Sequence, residues 1–338
     1  MNIYLLAVVL LLLGYITFDG SNEHADDSEE AVESTQQINQ KEGDPITYSL
    51  PESFTFAGEP VPLDDPDVRE RFDREIHVNA YWHSNTIFVL KRAHRWLPQI
   101  EKILKEHDIP TDFKYLPLIE SDLENKVSYR GATGFWQLRD ITAKELGLEV
   151  NSIVDERYNP LKSTEAAIKY LRKAYNRFGS WTNVAASYNI GQYGLHRRLR
   201  DQEVSSYYDL LLNEETARYV FRILAIKEIY ENPVKYGFYI PEDHLYAQEE
   251  LVLVEVDESI SDLVDFAKDQ NITYKILKRH NPWLRTDRLR VTKGKTYEVA
   301  IPASKFEFSK EYPVKRVTGS DDDDSIRFLK DTLMVRTN

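Results

Sequence analysis

The sequence predicts a mainly α-helical protein that ends in a small β-α-α-β module. Between about Ile76 and Tyr236, apolar residues recur at spacings of three and four, punctuated by helix start and stop signals. After Pro241 the pattern changes to two β-rich runs that bracket two short helical ones. At 338 residues the chain is long enough for both a full helical core and this second unit.

The first element is an apolar run, Ile3–Phe18, short for a membrane span but adequate as the core of a signal peptide. No Lys or Arg precedes it and no Ala-x-Ala site follows it. Residues 1–20 are therefore expected to be a signal peptide or membrane anchor, which makes the protein exported, to the periplasm or cell envelope. Residues 21–75 read as an acidic flexible linker. They contain Asp26-Asp-Ser-Glu-Glu30 and prolines 51, 60, 62 and 66, with low hydrophobicity and no sustained period. An ordering segment is expected near the linker's end.

The helical domain spans 76–240. Phe113, Leu116 and Ile119 predict a short buried helix that carries Glu120 in its last turn. Asp140 and Gly147 bracket another, with Asp140 read as its N-cap. Ala167, Tyr170, Leu171, Ala174, Tyr175 and Phe178 form a helical stripe that starts at Asn159-Pro160 and stops at Gly179. Val220, Ile223, Leu224 and Ile229 mark a further helix after acidic residues. In the module, 250–303, Leu251–Val256 and Tyr297–Pro302 read as strands. Ile260, Leu263, Phe266 and Ala267, then Ile272, Ile276 and Leu277, read as helices. Residues 304–338, with Asp321–Asp324, are expected to be a solvated tail.

Composition excludes several chemistries. A net charge of −13 argues against nucleic-acid binding, which needs a basic surface. The lack of cysteine removes disulfides, thiol catalysis and thiolate metal sites. The eight histidines fall at no metal-ligating spacing and no nucleotide-binding loop is present, so no metal and no cofactor are expected.

The most informative stretch is Tyr115-Leu-Pro-Leu-Ile-Glu120-Ser121, followed by Gly131-Ala-Thr-Gly-Phe-Trp-Gln137-Leu. A carboxyl in the last turn of a buried helix is desolvated and faces the negative end of the helix dipole. Both effects raise its pKa, as a general acid at neutral pH requires. Two later segments join it, Ala185-Ala-Ser-Tyr188-Asn189-Ile-Gly191 and Glu215-Thr216-Ala-Arg-Tyr219-Val220.

In this order, the blocks resemble the lytic transglycosylases of the soluble-transglycosylase type over roughly residues 85–235. Val154–Pro160, running on through Ser163–Leu171, is most similar to the D group of membrane-bound lytic murein transglycosylases. Two departures stand out: the loop from Glu120 to Gln137 is one residue shorter than the commonest family form, and Asn125-Lys126 replaces a proline-containing turn. The resemblance implies a lysozyme-like helical fold and peptidoglycan glycan strands as the partner. It also implies a single catalytic glutamate, Glu120, that cleaves the N-acetylmuramic acid to N-acetylglucosamine bond and leaves a 1,6-anhydro end. By matching position, Ser121, Gln137, Tyr188, Asn189 and Tyr219 are expected to be substrate-binding. Phe135 and Trp136 either stack on sugar faces or pack in the core. Glu156, Arg157 and Glu215 are expected to form ion pairs or caps. The C-terminal module resembles LysM, with Asn281-Pro282, Gly294 and Ile301-Pro302 at matching positions and Asp257-Glu258 in place of the usual glycine-aspartate. Two alternatives are a goose-type-like lysozyme, which would need a second carboxylate, and a non-catalytic wall-binding protein.

Overall fold

The computed structural model describes residues 46–303. The expected signal or anchor segment, the acidic tract up to residue 45 and the tail from 304 lie outside the described residues. Among the described residues no helix is long and apolar enough to cross a membrane.

The ordered chain begins earlier than the sequence suggested. Strands β1 (Thr55–Phe56) and β2 (Glu59–Pro60) form a hairpin across Ala57-Gly58. Both turn residues have positive φ, as a two-residue hairpin loop demands. Helix α1 (Pro66–Tyr81) follows, with proline in its first turn and the Asp65 carboxylate accepting from Asp67 N–H at 2.8 Å. The linker expected over 21–75 is thus corrected at its C-terminal end. Its average composition is polar, but Phe56, Val61, Leu63, Val68 and Phe72 are buried. Polar side chains then fasten the hairpin. The Glu59 carboxylate accepts from the N–H groups of Trp181 (2.6 Å) and Thr182 (2.9 Å), and Lys227 Nζ reaches both Thr55 O and Asp112.

Helix α2 (His83–Glu106) presents Val89, Ala93, Leu97, Ile100 and Leu104 to the core at helical spacing. A 3-10 turn, Thr111–Tyr115, leads into the short α3 (Leu116–Ser121), and α4 (Asp140–Glu145) lies beyond the glycine-rich loop. Asp140 is the first residue of α4 and pairs with Lys144 at 2.6 Å; the cap position is Arg139, so the N-cap expected at Asp140 is one residue off. Helix α5 (Pro160–Phe178) keeps the expected limits, with Asn159 Oδ1 accepting from Leu161 and Lys162 N–H and Gly179 closing it in the left-handed region. Helix α6 (Trp181–Ile190) runs through the interior, buried continuously from Thr182 to Ser187. Helices α7 (Gln192–Asp201) and α8 (Glu214–Glu231) complete the domain, with α1 packed along α8 and α6 against α5, α7 and α8.

The C-terminal module has the expected order: β3 (Leu251–Val256), α9 (Leu263–Asp269), α10 (Tyr274–His280) and β4 (Tyr297–Pro302). The strands pair antiparallel from Leu251↔Pro302 to Val256↔Tyr297. Fully buried Asn281 latches α10 to β4. Its amide donates to Ala300 O (2.6 Å) and its oxygen accepts from Ala300 N–H (2.8 Å).

This module docks on one segment of the helical domain, residues 149–158. Asp155 N–H donates to Trp283 O (2.9 Å), and Arg285 N–H to Ile153 O (2.8 Å). The Arg285 guanidinium lies 3.8 Å from the Tyr158 ring centroid, and Val154 and Tyr158 share the module's apolar core. Glu149 accepts from Tyr297 O–H and pairs with Lys295. Tyr158→Ala removes both the ring contact and buried area, and is expected to cost about 3 kcal/mol. It should also make the chain between 240 and 250 newly sensitive to limited proteolysis. An unchanged digestion pattern would mean that the docking does not depend on this ring.

Candidate active site

Glu120 stands at the C-terminal end of α3, where backbone geometry turns the chain sharply. Asp122 and Leu123 both adopt left-handed φ, which ends the helix and throws the following loop back over it. The loop closes on itself through bridges of Thr133 with Val127 and Leu138. Gly134 sits at φ +81, and a Cβ there would fall 1.9 Å from Arg157 O, so only glycine fits. Arg157 is the clamp. Its guanidinium forks onto Asp155 (2.9 and 2.7 Å) and donates to the carbonyls of Gly131 (3.1 Å) and Leu138 (3.2 Å). Sequence reasoning gave Arg157 an ion pair but missed its grip on this loop, because the contacted carbonyls are invisible in side-chain patterns.

Around Glu120 the side chains divide into two sets. Tyr219, on α8, donates its O–H to Glu120 Oε1. Arg222, one turn further, donates to Ile119 O (2.8 Å) and places its charge near the carboxyl. Tyr188 on α6 also senses the Glu120 charge, but its own O–H donates to Trp136 O at 2.8 Å. Burial pushes the phenols of Tyr188 and Tyr219 well above their ordinary pKa, so both stay protonated donors at neutral pH. Asn189 Oδ1 accepts from Thr216 Oγ1 (2.9 Å) and ties α6 to the start of α8.

The second set holds the loop. Gln137, at φ +46, spends its amide N–H groups on Lys126 O (3.1 Å) and Gly134 O (2.8 Å). Ser121 was expected either to meet substrate or to serve as a helix-end hydrogen bonder, and its contacts are of the second kind. It is only 2% exposed, with Oγ 2.8 Å from Phe135 O and 3.1 Å from Pro117 O, so its hydroxyl pins the loop to α3. Phe135 and Trp136 are core residues. Trp136 has no exposed surface and donates its indole N–H to Thr164 Oγ1, while Phe135 packs edge-on against Trp96. Glu156 is paired with Lys162 as expected (2.6 Å). Glu215 is not: it is exposed, forms no ion pair among the described residues, and raises the pKa of Glu120 by its charge.

The electrostatic balance at Glu120 favours the acid. Desolvation lifts its pKa from 4.5 to about 7, with the Tyr219 hydrogen bond and the Arg222 charge working in the opposite direction. Tyr219→Phe deletes one of the stabilisers of the anion. The Glu120 pKa should therefore climb from about 7 to a higher value, as read from the titration of its carboxyl 13C resonance. A fall would reverse the assigned role of the phenol.

The helical domain thus holds a half-buried glutamate of raised pKa beside a clamped glycine-rich loop. Residues 98–210 match the family model of the Transglycosylase SLT domain, and residues 253–305 match that of the Soluble lytic transglycosylase C-terminal LysM-like domain. The chain thus carries an SLT transglycosylase domain followed by a LysM-like module. It is 26% identical over 197 residues to the membrane-bound lytic murein transglycosylase D of Escherichia coli strain K12, covering 56% of this chain and 43% of that protein. The protein of the same name from Escherichia coli O6:H1 matches to the same extent. The chain thus spans less than half the length of these relatives.

Proposed function

We propose that this chain is a peptidoglycan lytic transglycosylase of the cell envelope, with Glu120 as its sole general acid and base. The observation that carries the reading is the Glu120–Tyr219 pair: a carboxyl held near pKa 7 by desolvation, with a phenol positioned to steady its anion. In the first step Glu120 gives its proton to the oxygen between N-acetylmuramic acid and N-acetylglucosamine, and the C1–O bond breaks. The carboxylate so formed is held by the Tyr219 O–H and faces the developing positive charge at C1. In the second step it takes the proton of the muramyl C6 hydroxyl as that oxygen closes on C1. A 1,6-anhydro ring results, Glu120 is protonated again, and no water is consumed. The LysM-like module, docked beside the loop clamp, is read as a glycan-binding unit that keeps the domain on the polymer.

One observation favours a second reading. Hydrolysis of the same bond needs a further carboxylate to act as nucleophile or to activate water, and Glu215 is an unpaired one near Glu120. Purified peptidoglycan separates the readings. The single-acid route expects Glu215→Gln to keep releasing anhydro-ended fragments, whereas a hydrolase would lose most of its activity. Failure of the wild-type chain to release any soluble fragment would instead point to a wall-binding protein.

A further inference from the structure

Asp155, Glu156 and Arg157 are each at most 8% exposed. A buried ion pair such as Asp155–Arg157 persists only where further hydrogen bonds satisfy its polar atoms and the backbone beneath it is held. On one side the partners are the glycine-rich loop. Arg157 donates to Gly131 O and Leu138 O, and Asn125 Nδ2 donates to Tyr158 O at 3.1 Å. On the other side they are the C-terminal module. Asp155 N–H donates to Trp283 O, Arg285 N–H donates to Ile153 O, and Val154 faces Leu284 in an antiparallel bridge.

One residue therefore joins the two sides. Asp155 is fixed by its backbone to the module and by its carboxylate to Arg157. Val154 and Leu284, at 1% and 0% exposure, seal the junction from water. From Arg157 the contacts run on to the site. Gly134 packs against Arg157 O, Phe135 O holds the Ser121 hydroxyl beside Glu120, and Trp136 O holds the Tyr188 phenol. Close-packed groups of this kind transmit displacement. A module that served only to retain polymer would work as well on a loose linker, which supplies the effective concentration by itself. Here the connecting chain is fastened too. Arg95 Nε donates to Ala247 O (2.9 Å), and Lys91 and Arg95 lie 4.8 and 5.3 Å from the Tyr246 ring centroid.

We propose that the module is a positioning element for the reaction. Trp283, Leu284 and Arg285 hold the backbone of 153–155, and through the Asp155–Arg157 pair they keep the glycine-rich loop in the shape that the Glu120 site needs. They act through Asp155 and Arg157, as positioning residues. The inference rests on the reading of Glu120 as the catalytic acid.

The test compares the full wild-type chain with Leu284→Asp, which sets a charge against buried Val154 and breaks the dock whether or not the module keeps its own fold. Hydrogen–deuterium exchange reads the loop through the paired N–H groups of Thr133, Gly134 and Leu138. These should exchange about tenfold faster in the variant, while the interiors of α5 and α8 keep their protection. On a soluble peptidoglycan tetrasaccharide, kcat should fall by about 10–100-fold. KM should stay within about twofold of the wild-type value. Leu284→Met, which conserves volume, should match the wild type in both readings. If Leu284→Asp also loosens α5 and α8, the test passes to Arg285→Glu combined with Lys295→Glu. These surface changes remove the ring contact with Tyr158 and set a like charge against Glu149, and the same two effects are expected. Unchanged loop exchange in a chain that has become protease-sensitive between 240 and 250 would overturn the proposal. So would a rise in KM at constant kcat, the behaviour of a tether. Exchange needs no turnover, so a loosened loop in a chain that cleaves nothing would leave this inference standing and defeat the catalytic reading. Cleavage that undocking leaves untouched would do the opposite.

Discussion

Glu120→Gln is expected to lower turnover on peptidoglycan by about 10³–10⁴-fold, because one group supplies both proton transfers. Binding should survive, since the amide has the same shape and its oxygen accepts the Tyr219 hydrogen bond. The same variant should be more stable than the wild type in mild alkali. With the unfolded carboxyl near 4.5 and the folded one near 7, the folded chain retains between those values a proton that the unfolded chain has lost. Stability therefore falls as the pH rises from 4.5 to 7, and the full loss persists above that range. Its size is about 3 kcal/mol. Urea denaturation should show the two proteins alike near pH 4 and the variant stabilised by up to that amount near pH 8. A variant that is inactive but no more stable at alkaline pH would mean that Glu120 is not a desolvated acid.

The second large effect is structural. Gly134→Ala places a methyl group 1.9 Å from Arg157 O at a φ of +81, so either the loop or the Arg157 segment must move. The expected cost is more than about 3 kcal/mol, seen as a lower urea midpoint. Activity should fall with it even where the protein remains folded. Displacing Arg157 releases the carbonyls of Gly131 and Leu138, and with them Gln137 and the Trp136 carbonyl on which Tyr188 rests. Gly131→Ala meets no neighbour within 4 Å and should suffer only the backbone penalty of its φ of +76. Equal losses at the two glycines would show that backbone conformation, not the close approach of Arg157, is what Gly134 serves.

What the sequence made legible follows from how local each signal is. Helix α5 is announced by its own residues, since Asn159-Pro160 and Gly179 act on backbone groups within a turn of themselves. The module strands are likewise marked by short β-rich runs, and Glu120 by a buried helix end. Long-range contacts are what the residues could not reveal. Glu59 caps α6 from more than a hundred residues away, so the extent of the ordering segment at the end of the acidic tract was not legible. Ser121 carries a hydroxyl of the right type beside the acid, yet Phe135 O claims it. Glu215 was expected in an ion pair or cap, but it is the adjacent Glu214 that reaches Arg74 and Arg218, which leaves Glu215 open at the site. The docking of the module onto the segment that carries Arg157 had no sequence signature either, because it joins backbone groups of 153–155 and 283–285 and side chains more than a hundred residues apart.

The central claim is that a single carboxyl cleaves the strand without water. Digestion of purified peptidoglycan in 18O-enriched water, followed by mass spectrometry of the released muropeptides, tests it directly. Muramyl ends lighter by one water than reducing ends, and free of 18O, are the predicted result. Reducing ends that carry the label would contradict it and make Glu215 the second carboxylate of a hydrolase.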